Sequence, residues 1–84
     1  MAYRIETDPR VLGQIRTLPD DVLPELAAVY DLLELAPLTG PPYNLAKPKS
    51  PMRMLEFASG RGLVTYLVLE DQERVDVLDV TWLG

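Results

Sequence analysis

The sequence contains no cysteine and no histidine among its 84 residues. The absence of cysteine excludes disulfides and thiol nucleophiles, and the absence of both residues removes the usual zinc-binding sets. Without histidine there is no imidazole general base and no Ser-His-Asp triad. Any catalysis must therefore use carboxylates, amines, guanidinium groups or phenols.

Long hydrophobic runs are also absent. No stretch approaches the ~18 apolar residues that span a bilayer, and the first ten residues lack the apolar region of a secretory signal. We therefore expect a soluble, cytoplasmic protein with no membrane contact.

The chain is 48% hydrophobic and 25% charged, which is ordinary globular usage, and its length predicts a single domain over residues 1–84. So small a domain gains stability from a partner chain.

The hydrophobic pattern predicts the element order β-α-α-β-β-β. Strands are predicted over 2–7, 52–58, 62–69 and 74–82, with one helix over 9–18 and a second opening at Asp20. Asp8 and Pro9 form a helix-start signal, and the proline-rich stretch 37–51 reads as an extended connection. Strands joined by short turns pair antiparallel, so we expect an α+β domain with an antiparallel sheet packed against a helical hairpin.

A two-residue turn at Ser59-Gly60 would fix the register of the first hairpin. It places Arg53 opposite Tyr66 on one face, and it places Glu56 on the other face, diagonal to Arg61. Two interpretations of each pair stay open. Arg53 can stack on Tyr66 as packing or serve a site, and Glu56 with Arg61 can form an ordinary surface ion pair or take part in chemistry.

The positive charge is concentrated in one stretch of an acidic chain. The formal net charge is −5, yet residues 43–62 carry a net +3 while 1–42 and 63–84 each carry −4. A gathered set of cations is what an anion-binding site needs, although solvated surface lysines and arginines are an equally simple explanation. Trp82 and Tyr43 can stack on nucleic-acid bases, or Trp82 can pack at the sheet margin and Tyr43 can pin its loop.

The combination of these segments resembles the RelE/ParE superfamily, the small toxins of bacterial type II toxin–antitoxin pairs. The resemblance rests on the stretches AYRIETDPR, LPDD, PPYNLAKPKSPMRMLEF and SGRGLVTYLVLEDQERVDVLDV in their order and spacing. It spans nearly the whole chain. It implies a compact RelE-like domain whose concave surface receives nucleic acid, and a cognate antitoxin that wraps the toxin in a hetero-oligomer.

The resemblance also implies a site. RelE-like members act on mRNA in the ribosome without metal, using basic residues with a proton-transferring side chain, so the resemblance implies neither a metal nor a cofactor. Their basic residues are matched here by Lys47, Lys49, Arg53 and Arg61. Arg61 lies five residues before the strand tyrosine, whereas the family usually has three, and the chain ends without the family's basic residues after the last strand.

Three functions remain open at this point. The favoured one is a metal-independent mRNA endoribonuclease with Arg53, Glu56 and Arg61 as catalytic residues, where Glu56 accepts the proton. Its RNA-binding residues would be Lys47, Lys49, Arg53, Arg61 and Trp82. The alternatives are a ParE-like poison of DNA gyrase and a non-catalytic module that only binds an antitoxin.

Overall fold

The computed structural model describes residues 2–42 and 50–84. The regular elements are β1 (Arg4–Thr7), α1 (Pro9–Arg16), α2 (Leu23–Leu35), β2 (Met52–Phe57), β3 (Gly62–Leu69) and β4 (Arg74–Trp82). Short 3-10 turns lie at Asp20–Val22, Pro37–Thr39 and Glu70–Gln72. The predicted α+β class and element order are confirmed. None of the helices in residues 2–42 and 50–84 has the length and hydropathy of a membrane-spanning segment.

The sheet has the strand order β1-β4-β3-β2. The strands β2, β3 and β4 pair antiparallel, as short turns require. The first strand differs from the expectation, because β1 pairs in parallel with β4 and makes the sheet mixed. The rule for short turns does not apply to β1, which is followed by both helices and pairs with a strand far along the chain.

The two helices begin where proline permits. The Asp8 carboxylate accepts the Arg10 backbone N–H at 2.8 Å, which caps α1, and Pro9 stands in the first turn. Pro24 lacks an N–H and is tolerated only in a first turn. The α-helix α2 therefore starts at Leu23, and the predicted start at Asp20 is a 3-10 turn instead.

One face of the sheet packs against both helices. The core consists of buried apolar side chains from α1, α2, the last three strands and the turns beside them, and no described polar or charged residue is buried with them. The fully buried large side chains are Val11, Val22, Leu33, Val64, Tyr66, Val75 and Val77. The hydroxyl of Tyr66 donates to the Pro37 carbonyl at 2.7 Å, so this polar atom is satisfied inside the core.

An irregularity in β4 sets which side chains face the core at its far end. Tyr66 pairs with Val77, and the register then shifts so that Thr65 pairs with Asp79 and Val64 with Val80. Without this bulge the same register would bring Asp79, not Val80, opposite the buried Val64. The extra residue therefore keeps a carboxylate out of the core at this position.

Candidate nucleic-acid interface

The turn between β2 and β3 has the predicted form. The Arg61 backbone N–H donates to the Ala58 carbonyl at 3.2 Å, and the two central residues have positive φ, 57° at Ser59 and 85° at Gly60, as does Ala58 before them, at 53°. Positive φ at both central positions is the pattern of a type I′ hairpin turn. The predicted register follows, because Arg53 pairs with Tyr66 and Glu56 with Leu63.

Arg61 lies over the ring of Trp82 at this end of the sheet. Its guanidinium carbon is 5.3 Å from the ring centroid, within the range of a cation–π contact. Phe57 supports the indole from the side, with ring centroids 6.3 Å apart and an interplanar angle of 31°. The rings of Phe57 and Trp82 meet across Gly62, where any Cβ would overlap the Phe57 ring.

The guanidinium of Arg61 keeps donors available. Its Nε–H donates to the Ala58 carbonyl at 3.1 Å, and this bond does not use the two terminal amino groups. Arg4, Arg10 and Arg74 each pair with a carboxylate. In residues 2–42 and 50–84 Arg61 makes no such ion pair. A guanidinium that lies over a ring and is not paired with a carboxylate can bind a phosphate.

Arg53 lies on the core-facing side of the sheet beside Tyr66. Its Nη1 donates to the Gly40 carbonyl at 2.9 Å, and Pro42 bridges to the same strand position. Gly40 packs so closely that a Cβ would overlap the Tyr66 hydroxyl. Burial raises the pKa of Tyr66, so the phenol stays protonated. Arg53 therefore anchors the chain segment that crosses the sheet edge.

Glu56 lies on the other face of the sheet, because it is three residues from Arg53 on the same strand. Its side chain is exposed, and in the described residues no ion pair joins Glu56 to Arg61, which packs on Trp82 instead. The three predicted catalytic side chains are thus in three places, on the core face, on the open face and at the turn. Lys47 and Lys49 lie outside the described residues.

Sequence reasoning missed the polar cluster that joins α1 to β4. The Gln14 side chain accepts the Val80 backbone N–H at 2.9 Å and donates to Asp79 Oδ1 at 2.8 Å. Arg10 donates to the Leu78 carbonyl at 2.6 Å. The pairing of β1 with β4 ends at Val77. Past that point, the Arg10 and Gln14 side chains bind backbone groups of β4 that a neighbouring strand would otherwise bind. The cluster stabilises the fold, and only the i, i+4 spacing of Arg10 and Gln14 hints at it.

The Asp79 carboxylate is held ionised by its neighbours. It accepts hydrogen bonds from Thr81 and Gln14, and Arg10 contributes a weaker bond and a positive charge. These contacts, with the Thr81 hydroxyl first, lower the pKa of Asp79 against an opposing effect of burial. The cluster is therefore charge-assisted at neutral pH.

Searches against protein-family models and against curated proteins found no match. Solved structures do match. A mutant of the E. coli toxin RelE in the free state superposes with a TM-score of 0.78 at 20% identity, covering 98% of this chain and 84% of that chain. The archaeal RelE-RelB complex from Pyrococcus horikoshii OT3 gives a TM-score of 0.71 at 20% identity, with 100% and 98% covered. The intact E. coli RelBE toxin-antitoxin complex gives 0.71 at 22% identity, with 96% of each chain covered. The chain therefore has the fold of the RelE toxins.

Proposed function

We propose that the chain is the toxin of a toxin–antitoxin pair. The support is the fold shared along almost the whole chain with RelE, whose solved structures include complexes with the antitoxin RelB. The partner is a cognate antitoxin, and the two form a hetero-oligomer. A domain of 84 residues has a small core, so a bound partner adds substantially to its stability.

The finer proposal is a ribosome-dependent mRNA endoribonuclease. The observation that carries it is the Arg61 guanidinium, held by the Trp82 ring and by an Nε–H bond to the Ala58 carbonyl that does not occupy its terminal amino groups. Such a group can bind the scissile phosphate and stabilise the negative charge that develops on it. The Trp82 ring supplies an aromatic surface on which a base can stack.

The reaction forms one bond to phosphorus and breaks another. The ribose 2′-oxygen attacks the adjacent phosphorus, the bond to the 5′-oxygen breaks, and a 2′,3′-cyclic phosphate and a 5′-hydroxyl result. The proton of the 2′-hydroxyl passes to a base, for which Glu56 is the predicted carboxylate, and the 5′-oxygen takes a proton from water. Lys47, Lys49 and Arg53 stay predicted RNA contacts.

One observation favours a second candidate function, toxicity or binding without cleavage. Arg53 and Glu56 project from opposite faces of β2, and Arg53 is engaged with the Gly40 carbonyl. A protein of this fold that only contacts its target, as a gyrase poison or an antitoxin-binding module, needs no converging catalytic groups. This candidate predicts intact transcripts in cells that express the chain.

The experiment is induction of the chain alone in bacteria, with mapping of mRNA 5′ ends on a reporter that has or lacks its ribosome-binding site. Cuts that need the ribosome-binding site support the endoribonuclease. Growth arrest with intact mRNA and damaged DNA supports the gyrase poison. Growth that is unaffected by the chain contradicts the toxin role and leaves a binding module.

A further inference from the structure

The outward side of α2 carries an apolar stripe. Ala28, Leu32 and Leu35 follow one another at spacings of four and three residues, which places them on one side of the helix. Leu32 is 36% exposed and Leu35 is 75% exposed. Leu35 also lines an open cleft of about 360 Å³ together with Tyr3 and Leu38. The opposite side of α2 is the buried one, so these leucines face solvent.

The charges around this stripe all have one sign. All the charged residues from 20 to 35 are acidic. They are Asp20, Asp21, Glu25, Asp31 and Glu34. In the part of the chain that the structure describes, none of these carboxylates takes part in an ion pair. Asp31 and Glu34 directly precede the two exposed leucines, so the apolar stripe has an acidic border.

This combination decides between the possible occupants. A second copy of the chain would set one acidic α2 against another, and like charges across an interface are unfavourable. A helix that carries leucines on one side and lysines or arginines beside them matches both features. Its apolar residues would cover Leu32 and Leu35, and its cations would meet Asp31 and Glu34.

We propose that the outer side of α2 is the docking surface for a basic amphipathic helix of a partner protein. The inference goes beyond the proposed function, because it names a surface and the chemistry of its partner and does not require toxicity or RNA cleavage. It also accounts for the apolar character of α2 on both sides, which is unusual for a helix with one side in water.

The test uses two synthetic helical peptides of about 15 residues, a length at which isolated helices begin to be stable. Both have the same leucine stripe, and the remaining positions are mainly lysine in one and mainly glutamate in the other. Fluorescence anisotropy measures their binding to the whole chain. Leu35→Asp should weaken binding of the lysine peptide about tenfold, which is the effect of losing one buried leucine contact.

Leu12→Asp is the matched control. Leu12 is 44% exposed on α1, so this variant makes the same chemical change and adds the same charge away from the stripe. It should leave binding within about twofold of wild type. The double variant Asp31→Asn, Glu34→Gln should also weaken the lysine peptide and reduce the salt dependence of its binding.

Several results would overturn the inference. Both variants add one negative charge, so an equal change in binding in the Leu35 and Leu12 variants would mean that net charge alone attracts the lysine peptide. Equal binding of the glutamate peptide would remove the role of the acidic border. Dimerisation of the wild-type chain in sedimentation, abolished by Leu35→Asp, would assign the surface to a second copy.

Discussion

Replacing Gln14 by leucine should destabilise the fold more than the same replacement at Gln72. Gln14 holds two groups of β4 at once, the Val80 backbone N–H at 2.9 Å and the Asp79 carboxylate at 2.8 Å. Leucine has a similar size and good helix propensity. The substitution therefore removes the two hydrogen bonds without a large change in packing.

The magnitude follows from the groups that lose their partner. A backbone N–H left without an acceptor costs about 1–3 kcal/mol, and the partly exposed Asp79 can recover its lost donor from water. We expect the free energy of unfolding to fall by about 2 kcal/mol. For a domain of this size, that corresponds to a decrease in Tm of roughly 8–16 °C.

The assay is urea unfolding followed by circular dichroism, with Gln72→Leu as the matched control. Gln72 is exposed in the turn before β4, so its replacement should change the free energy of unfolding by less than about 0.5 kcal/mol. A Gln14→Leu variant as stable as the Gln72→Leu variant would refute the claim that α1 completes the hydrogen bonding of β4.

Two further predictions concern packing and pH. Gly40→Ala should lower stability by at least about 2 kcal/mol in thermal unfolding, because the added Cβ overlaps the Tyr66 hydroxyl. Gly13→Ala, where a Cβ meets nothing within 4 Å, should instead raise stability by about 0.5–1 kcal/mol, and equal effects would contradict the packing argument. The lowered pKa of Asp79 means that its ionised form stabilises the fold above the unfolded pKa of about 3.9. That contribution disappears as the pH falls through the folded pKa, so Asp79→Asn should be destabilising at pH 7 and should converge with wild type in acid unfolding titrations. A difference that stays constant with pH would show that the Asp79 charge is not involved.

The first hairpin was predictable from sequence because its register depends on local chemistry. Ser59 and Gly60 can both adopt positive φ, and that turn type allows only one pairing of the flanking strands. The pairing of Arg53 with Tyr66 followed directly. The parallel pairing of β1 was not predictable in this way, because no turn joins β1 to β4 and tertiary packing decides their order.

The contact between Arg61 and Trp82 was hidden for a different reason. The two residues are brought together by the pairing of Gly62 with Trp82, which exists only because of the extra residue in β4. Without the bulge, the pairing that starts at the β3–β4 turn would place Thr81 opposite Gly62. Trp82 would then lie on the other face of the sheet. A one-residue irregularity that sequence periodicity does not reveal thus determines the candidate site.

Cleavage of ribosome-bound mRNA by the purified chain tests the central claim most directly. The measurement is the single-turnover rate for wild type, Arg61→Ala and the control Arg4→Ala, whose arginine is exposed and paired with Glu6. We predict cleavage by wild type and Arg4→Ala, and a rate lower by about 10²–10³-fold for Arg61→Ala, the effect of removing one preorganised donor. No cleavage by the wild-type chain, or an Arg61→Ala rate equal to wild type, would contradict the assignment of the Arg61 and Trp82 cluster to RNA cleavage.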